Sequence, residues 1–142
     1  MKRNNDFGLL VKQIRESIEK VNNKGLSDYG LTNTQVYVLL ALSDADNHTL
    51  SLKELEKGLG VSQPTMVGII NRLEEKKLVK KIDNPTKARA KDVVLLENGL
   101  INCKDFNQVL ENTENILIKG FSPEEKVQLL GYLKRMHENI GS

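Results

Sequence analysis

The sequence predicts a mainly α-helical protein with a small β-hairpin wing (α+β), a winged helix-turn-helix with N- and C-terminal dimerisation helices. Three observations predict this fold class. Two short helical patterns are joined by a glycine turn, two strand-like runs surround a basic loop, and apolar stripes with helical spacing occupy both ends of the chain. We expect a single domain over residues 1–142, with a winged helix-turn-helix part at 31–99 and a helical dimerisation part at 1–30 and 100–142.

The first helix of the central pair has a clear start and a clear end. Ser51 followed by Glu54 is a capping box, in which each side chain bonds the backbone amide of the other residue. Gly60 suits the positive φ of a tight turn between helices, and Ser62 is placed to cap the next helix. The buried stripe of the first helix consists of Leu52, Leu55 and Leu59.

The second helix of the pair, predicted over residues 63–76, has an apolar face and a polar face. The inward stripe consists of Met66, Ile69, Ile70 and Leu73. The opposite side consists of Gln63, Thr65, Val67, Gly68, Asn71 and Arg72. These residues offer amide and hydroxyl groups that reach base edges, a methyl group for thymine, and a glycine that permits close approach. The helix therefore suits a DNA major groove, although an ordinary solvated helix face has a similar composition.

Positive charge is concentrated directly after this helix. From Lys76 to Lys91 the chain has seven Lys or Arg residues and one Asp, a local charge of +6 in a chain of net charge +2. Residues 78–82 and 93–96 read as strands, and residues 84–87 read as the turn of a hairpin between them. The segment therefore predicts a basic hairpin beside the second helix of the pair, the helix that suits a major groove.

This hairpin predicts contacts with DNA phosphates, which weaken steeply as the salt concentration rises. At its tip, Arg89 is placed to enter a minor groove, where groove width is read more than base identity. A solubilising surface is the alternative explanation of such a charge run. The residues expected at the DNA backbone are Arg72, Lys80, Lys81, Lys87, Arg89 and Lys91.

The order of these motifs from residue 31 to residue 136 resembles the MarR (multiple antibiotic resistance regulator) family of bacterial transcription factors. The most specific parts are Leu-x-Glu-Leu at 52–55, Asn-Arg-Leu-Glu at 71–74, Leu-Val at 78–79, and a wing that ends in Leu95 and Gly99. The resemblance implies a winged-helix homodimer that binds a palindromic operator, usually as a repressor. It also implies release of DNA when a small anionic or phenolic ligand binds or a thiol is oxidised.

The resemblance assigns roles to individual residues. Arg89 aligns with the family's wing-tip arginine, and Arg72 aligns with a helix arginine that more often has a structural ion-pair role. The positions at which the family's recognition helix meets bases are Ser62, Gln63, Thr65 and Gly68. With Val67 and Asn71 from the same helix, these are the predicted base-contacting residues.

Three positions depart from the family pattern. Lys87 stands where an aspartate would brace Arg89, which predicts a looser wing. Leu96 replaces a threonine that commonly caps the following helix, which leaves Asn98 as the substitute cap. Gly68 stands where a larger polar residue is common, and this affects the expected operator sequence more than the expected function.

Amphipathic helices are predicted on both sides of the winged helix-turn-helix. The first covers residues 5–23, with Gly25 suited to its C-terminal turn. After the wing, a helical period continues from about residue 100 to 119, and a capping box at Ser122 and Glu125 opens a last helix. Their apolar stripes would stay exposed in a monomer, so we expect an intertwined helical dimer interface.

A helix and a strand are predicted between residues 31 and 51. Thr32 and Gln35 form another capping box, and the helix that they open is apolar on most sides, so we expect it to be central and buried. A short strand near Thr49 and Leu50 would pair with the wing and complete a three-stranded sheet.

Composition excludes several classes of protein. The length of 142 residues and the hydrophobic fraction of 39% suit one ordinary domain. The longest apolar run, residues 36–42, is far shorter than the roughly 20 residues of a membrane helix. The first residues have no stretch typical of a signal peptide, and one cysteine cannot form an internal disulfide. We therefore expect a cytoplasmic protein without a membrane partner.

The residues that carry chemistry are few. Cys103 lies on the apolar side of its helix, which favours packing over redox sensing. His48 and His137 are too scattered for a zinc site, and no motif of a cofactor or a catalytic centre occurs. An effector pocket is plausible between the dimer helices and the winged helix, with Tyr29, Tyr37 and His48 as candidate lining residues.

Three classes of function remain, in descending order. The first is a sequence-specific, DNA-binding transcriptional regulator, a ligand-responsive repressor that binds double-stranded operator DNA as a homodimer. The second is a winged-helix adaptor that binds proteins without specific DNA binding. An enzyme is a distant third, because no base, nucleophile or metal constellation converges in the sequence.

Overall fold

The structure is a computed structural model that describes residues 2–141. The predicted fold class, mainly α-helical with a small β-sheet wing, is confirmed. In chain order the elements are α1 (Phe7–Leu26), α2 (Asn33–Asp44), β1 (Thr49–Ser51), α3 (Leu52–Leu59), α4 (Gln63–Glu75), β2 (Val79–Asp83), β3 (Lys91–Leu95), α5 (Glu97–Leu100), α6 (Cys103–Leu117) and α7 (Pro123–Ile140). None of the helices in residues 2–141 is long and apolar enough to cross a membrane.

Helix α2 lies at the centre of the core, as predicted. Its capping box is formed: the Gln35 amide donates to Oγ1 of Thr32 at 3.4 Å, and the Thr32 amide donates to Oε1 of Gln35 at 3.1 Å. Apolar side chains on nearly all sides of the helix are buried, which is typical of a helix enclosed by other elements. The buried apolar residues of α2 are Val36, Val38, Leu39, Leu40 and Leu42.

The sheet has three antiparallel strands in the order β1-β3-β2, so the predicted third strand is confirmed. Strand β2 pairs with β3 from Val79 opposite Leu95 to Asp83 opposite Lys91, and β1 pairs with the other edge of β3. Val79, Val93 and Leu95 are buried, so one face of the sheet packs on the core. The hairpin of β2 and β3 is the predicted wing.

The helix-turn-helix of α3 and α4 follows from local signals. In the predicted capping box of α3, the Glu54 amide donates to Oγ of Ser51 at 3.0 Å, and the Ser51 amide donates back to the Glu54 carboxylate. Gly60 ends α3 with a φ of 63°, as expected for a glycine in the left-handed region. Ser62 occupies the N-cap position of α4, but its hydroxyl donates to Oγ1 of Thr65 and caps no amide. The predicted cap bond from Ser62 is therefore wrong.

The predicted end of α1 is also wrong. The helix continues through Gly25 to Leu26, and a 3-10 turn at Ser27–Tyr29 leads to Gly30, whose φ is 66°. A Cβ atom at Gly25 would meet the side chain of Val109 on α6, so Gly25 serves close packing between two helices. Gly30 supplies the left-handed residue that the sequence pattern assigned to Gly25.

The segment after the wing differs from the predicted single helix. It forms the short helix α5, a turn, and then α6. Leu96 is the N-cap of α5 without a side-chain cap bond, and Asn98 lies inside the helix, so the predicted cap at Asn98 is wrong. The Leu96 amide instead donates to the backbone oxygen of Leu78 at 2.9 Å, and Gly99 packs directly on the same carbonyl group. Contacts with the start of the wing therefore determine where α5 begins.

The described chain divides into two compact units, one up to Leu110 and one from Glu111 onward. The first unit contains α1 to α5, the sheet and the core. The second contains the end of α6, a turn at Gly120 and α7, whose predicted capping box at Ser122 and Glu125 is formed. This division reflects compactness and falls at residue 110. The predicted division assigns functions, with residues 31–99 for DNA binding, and it stays a prediction.

Candidate nucleic-acid interface

Helix α4 has the two faces predicted from its sequence. The buried side chains are Met66, Ile70 and Leu73, each fully enclosed by the core. The exposed residues are Ser62, Gln63, Thr65, Gly68, Asn71 and Arg72, while Val67 and Ile69 are half-buried. Every residue predicted to meet bases is thus at least partly accessible from solvent, and contact between these residues and DNA stays a prediction.

Gly68 leaves an opening in the exposed face of α4. No atom lies within 4 Å of the place that a Cβ would take, so the glycine is not required by internal packing. Its φ is not in the positive range, so backbone conformation does not require a glycine either. A partner surface can therefore approach the backbone of α4 at its midpoint.

A hydrogen-bonded network joins α4 to the wing through Lys81. Nζ of Lys81 lies 2.7 Å from Oδ1 of Asn71 and 3.5 Å from Oε1 of Glu74. The backbone amide of Lys81 donates to Oε2 of Glu74 at 3.0 Å. These bonds, chiefly the one from the backbone amide, hold the pKa of Glu74 below its usual range. Two predicted DNA contacts, Asn71 and Lys81, are thus bonded to each other, and Glu74 was not predicted as part of the site.

The predicted phosphate-binding residues fall into two groups. Lys81 and Lys91 are paired with carboxylates, Lys91 with Asp83 across the end of the hairpin. The Lys91 ammonium lowers the pKa of Asp83. Within residues 2–141, no hydrogen bond or ion pair engages the exposed side chains of the second group. This second group consists of Arg72, Lys80, Lys87 and Arg89.

The wing loop is organised by Asn84. Oδ1 of Asn84 accepts hydrogen bonds from the amides of Thr86 and Lys87, each at 2.9 Å, and Nδ2 donates to Oδ1 of Asp92 at 3.0 Å. Arg89 has a φ of 65°, which is uncommon for a residue with a side chain. No carboxylate braces Arg89 among the described residues, in agreement with the departure at Lys87, but the loop backbone is held by Asn84.

Two of the cavities formed by the described residues lie in the first unit. A groove of about 420 Å³ between α3, α4 and the wing is lined by Leu52, Val67, Ile70, Asn71, Glu74, Lys81 and Lys91. A smaller cavity of about 60 Å³ is lined by Tyr29, Leu31, Leu39, Leu78, Asn98, Gly99, Asn102 and Phe106. Of the three residues suggested for an effector pocket, Tyr29 lines the small cavity, while Tyr37 and His48 line neither of these two.

Tyr29 connects the winged helix to α6. Its hydroxyl donates to Oδ2 of Asp105 at 2.9 Å, and its ring forms a T-shaped pair with the ring of Phe106, with 5.0 Å between ring centroids. The bond to Asp105 raises the pKa of Tyr29. One wall of the small cavity is therefore held by a polar and an aromatic contact.

Redox and metal chemistry gain little support in the described part of the chain. Cys103 is buried, its Sγ donates to the backbone oxygen of Gly99 at 3.2 Å, and burial raises the pKa of the thiol. Packing, the favoured interpretation of Cys103, agrees with this environment. Residues 2–141 contain no group of three His, Cys, Asp or Glu side chains that could hold a metal ion.

A basic β-hairpin beside an exposed, capped helix-turn-helix defines the class of winged helix-turn-helix proteins. A model of the MarR family matches residues 29–90. A regulator from Bordetella bronchiseptica, BpsR, whose DNA binding is regulated by 6-hydroxynicotinic acid, is 26% identical, with a TM-score of 0.83 over 93% of each chain. A MarR variant from E. coli, solved with operator DNA, is 25% identical, with a TM-score of 0.80 over 91% of each chain.

The same fold extends to more distant structures. The MepR–DNA complex from S. aureus is 23% identical and matches with a TM-score of 0.87 over 94% of this chain and 98% of its own. The similarity thus covers the flanking helices as well as the wing. The resemblance seen in the sequence is confirmed: the MarR family model matches the winged helix-turn-helix segment, and this chain is similar in fold to solved MarR-family proteins.

Proposed function

We propose that this protein is a sequence-specific, DNA-binding transcriptional regulator that binds a palindromic operator as a homodimer. One observation carries the proposal: α4 exposes a neutral, hydrogen-bonding face directly beside a hairpin segment of charge +6. Neutral amides and hydroxyls discriminate base edges, whereas the lysines and arginines neutralise phosphates. The DNA complexes of two similar proteins, MepR and a MarR variant, support the proposal.

The proposal assigns the residues of the interface to two tasks. The exposed lysines and arginines of the wing, together with Arg72, bind the DNA backbone, and Arg89 reaches into a minor groove. Lys81 and Lys91 are already paired with carboxylates, so each would bind a phosphate only by dividing its N–H groups between that carboxylate and the DNA. The residues that meet bases are Ser62, Gln63, Thr65, Val67, Gly68 and Asn71.

Homodimerisation is supported by two exposed apolar faces. On α1, large apolar side chains are exposed, with Phe7 at 80% and Leu10 at 50%. On α7, Val127 is 73% exposed and Leu130 is 54% exposed. Contiguous apolar faces of this kind mark interaction sites. We assign residues 1–30 and 100–142 to dimerisation and residues 31–99 to DNA binding. In the dimer, the two copies of α4 would lie roughly 34 Å apart, about one turn of DNA.

The proposed regulator is a ligand-responsive repressor that acts in the cytoplasm, where bacterial DNA is accessible to it. The regulation of BpsR by 6-hydroxynicotinic acid supports ligand control. In this chain, the cavity at Tyr29 lies between the winged helix and α6, at a joint where a ligand would shift the position of α4. Repression is steric, because the dimer occupies the promoter, and we propose no enzymatic step.

The test is DNA binding by the full-length protein. We would select duplexes from a random pool and compare Gln63→Ala with Lys80→Ala. Gln63→Ala should relax preference at one base step by about 1 to 3 kcal/mol, whereas Lys80→Ala should weaken binding to all DNA alike and flatten the salt dependence. If wild-type protein enriches no sequence, or if both variants act equally on selected and random DNA, the proposal fails.

A further inference from the structure

A hydrogen bond to Lys81 restricts the orientation of the side-chain amide of Asn71. The ammonium group of Lys81 has only hydrogen-bond donors, so the atom of Asn71 that it contacts at 2.7 Å must be the oxygen. Since the oxygen faces Lys81, the Nδ2 amino group of Asn71 points away from Lys81 within the amide plane. The orientation of this amide, which is often ambiguous, is here determined by the chemistry of its partner.

This orientation matters for the base that Asn71 can read. A free asparagine reads adenine with two bonds, accepting from N6 and donating to N7. Oδ1 of Asn71 has two lone pairs, and the Lys81 ammonium occupies one of them, so an adenine N6 amino group would approach this oxygen beside a cationic donor. The remaining groups are mainly donors, namely Nδ2 of Asn71 and the unused N–H groups of Lys81. A surface in which donors predominate fits guanine, which presents two adjacent acceptors, O6 and N7.

We propose that Lys81 and Glu74 are positioning residues that turn Asn71 into a hydrogen-bond donor toward DNA, so that Asn71 and Lys81 select guanine over adenine at one position of each half-site. The inference rests on the proposed function and names the specificity of that site. Glu74 is included as a positioning residue because its carboxylate contacts both the backbone amide and the ammonium of Lys81. These two contacts hold the lysine against α4.

The site is open to a base edge. Asn71 is exposed and lies three residues after Gly68, so the two are neighbours on the surface of α4. Nothing fills the space at Gly68, and on the other side Asn71 borders the groove of about 420 Å³. A base can therefore reach the amide of Asn71 without displacing another side chain.

Lys80 provides a matched control for Lys81. Side chains alternate along a strand, so these neighbours in β2 project to opposite faces of the sheet. Lys81 is opposite the buried Val93 and faces α4, whereas the side chain of Lys80 is exposed and makes no hydrogen bond or ion pair among the described residues. Lys81→Met and Lys80→Met remove the same charge from adjacent positions, but only Lys81→Met releases Asn71.

The experiment is selection of duplexes from a random pool by wild-type protein and by four variants: Lys81→Met, Lys81→Arg, Lys80→Met and Asn71→Ala. Wild type should enrich guanine at one symmetry-related position, and Asn71→Ala should lose that preference. Lys81→Met should change the guanine-to-adenine ratio at this position by about tenfold in favour of adenine, the order of magnitude of one bidentate contact. Lys81→Arg retains donors and should keep guanine, and Lys80→Met should keep guanine while binding all DNA more weakly.

The outcomes separate this inference from the proposed function. Thermal unfolding of each variant shows whether it is folded. Even if Lys81→Met is unstable, a folded Lys81→Arg protein that loses the guanine preference would contradict the proposal. If wild type enriches a palindrome but Lys81→Met keeps the base preference of Lys80→Met, the inference is wrong and the proposed function stands. If wild type enriches adenine at the position that depends on Asn71, the inference is also wrong. If folded wild type enriches no sequence, both fail.

Discussion

Gly25 of α1 lies against Val109 of α6 so closely that a Cβ atom added to Gly25 would come within 2.8 Å of Cγ1 of Val109. Real Cβ contacts are longer, and a valine side chain has little freedom to move away. The contact joins two residues, on different helices, that are more than 80 positions apart in the sequence. Gly25 is therefore a packing residue in the last turn of α1.

We expect Gly25→Ala to destabilise the protein by about 1 to 2 kcal/mol, because overpacking at Val109 outweighs the helix propensity gained from alanine. Gly58→Ala is the control, since Gly58 also lies in a helix and no atom is within 4 Å of its added Cβ. That change should stabilise slightly. Urea unfolding measures both. The packing role would be contradicted if Gly25→Ala were at least as stable as wild type. It would also be contradicted if adding Val109→Ala to Gly25→Ala did not reduce the destabilisation caused by Gly25→Ala.

The wing loop should depend on one side chain. Asn84→Ala removes the acceptor of the Thr86 and Lys87 amides, and we expect these amides to exchange with solvent faster and DNA binding to weaken by about 1 kcal/mol. Amide exchange followed by NMR and a binding titration measure the two effects. Asn107→Ala removes the same kind of side chain from the exposed surface of α6 and should change neither. Unaltered exchange in Asn84→Ala would show that the loop is held by other contacts.

Glu74 should make stability depend on pH. Its pKa is lower in the folded protein than the ordinary 4.5, mainly because its carboxylate accepts from the Lys81 amide. A lowered folded-state pKa stabilises the protein above 4.5, and this contribution is lost as the pH falls through the folded-state value. We therefore expect Glu74→Gln to be less stable than wild type at neutral pH, and the difference to shrink below pH 4.5.

Unfolding midpoints measured across that pH range test the Glu74 prediction. Asp83→Asn is the useful comparison, because the pKa of Asp83 is also lowered, by Lys91, at the far end of the hairpin. Each variant should remove its own part of the acid dependence. A gap between wild type and Glu74→Gln that is constant from neutral to acidic pH would refute the role of the ionised carboxylate.

Cys103 should be inert in the folded protein. Burial raises the pKa of its thiol above the ordinary 9.0, so the reactive thiolate is scarce at neutral pH and access is restricted. We expect slow modification by a thiol reagent, fast modification in denaturant, and DNA binding unchanged by mild peroxide. Release of DNA by peroxide from wild type, but not from Cys103→Ala, would instead identify a redox sensor.

Helix starts were predictable because their signals are local. The capping boxes at Thr32, Ser51 and Ser122 each need only two residues three positions apart, and all three are formed. The apolar period of α4 likewise predicted which side is buried and which is exposed. Where a structural choice depends on the nearest turn of chain, the sequence pattern is sufficient.

The errors have the opposite origin. Gly25 and Asn98 were assigned as a helix stop and a helix cap, but contacts with Val109 and Leu78, distant in sequence, decide these positions. Within the site, Asn71 and Lys81 were both predicted, yet the bond between them was not. No local spacing indicates that a lysine of β2 reaches the C-terminal half of α4.

By itself the sequence determined the helix starts, the two faces of α4 and the basic hairpin beside it, because periodicity, capping and charge depend on neighbouring residues. Only the tertiary structure decided where α1 and α5 have their limits and which lysines are paired. It also decided that the amide of Asn71 turns its oxygen toward Lys81. The physical reason is that these features depend on contacts between elements that meet only when the chain is folded.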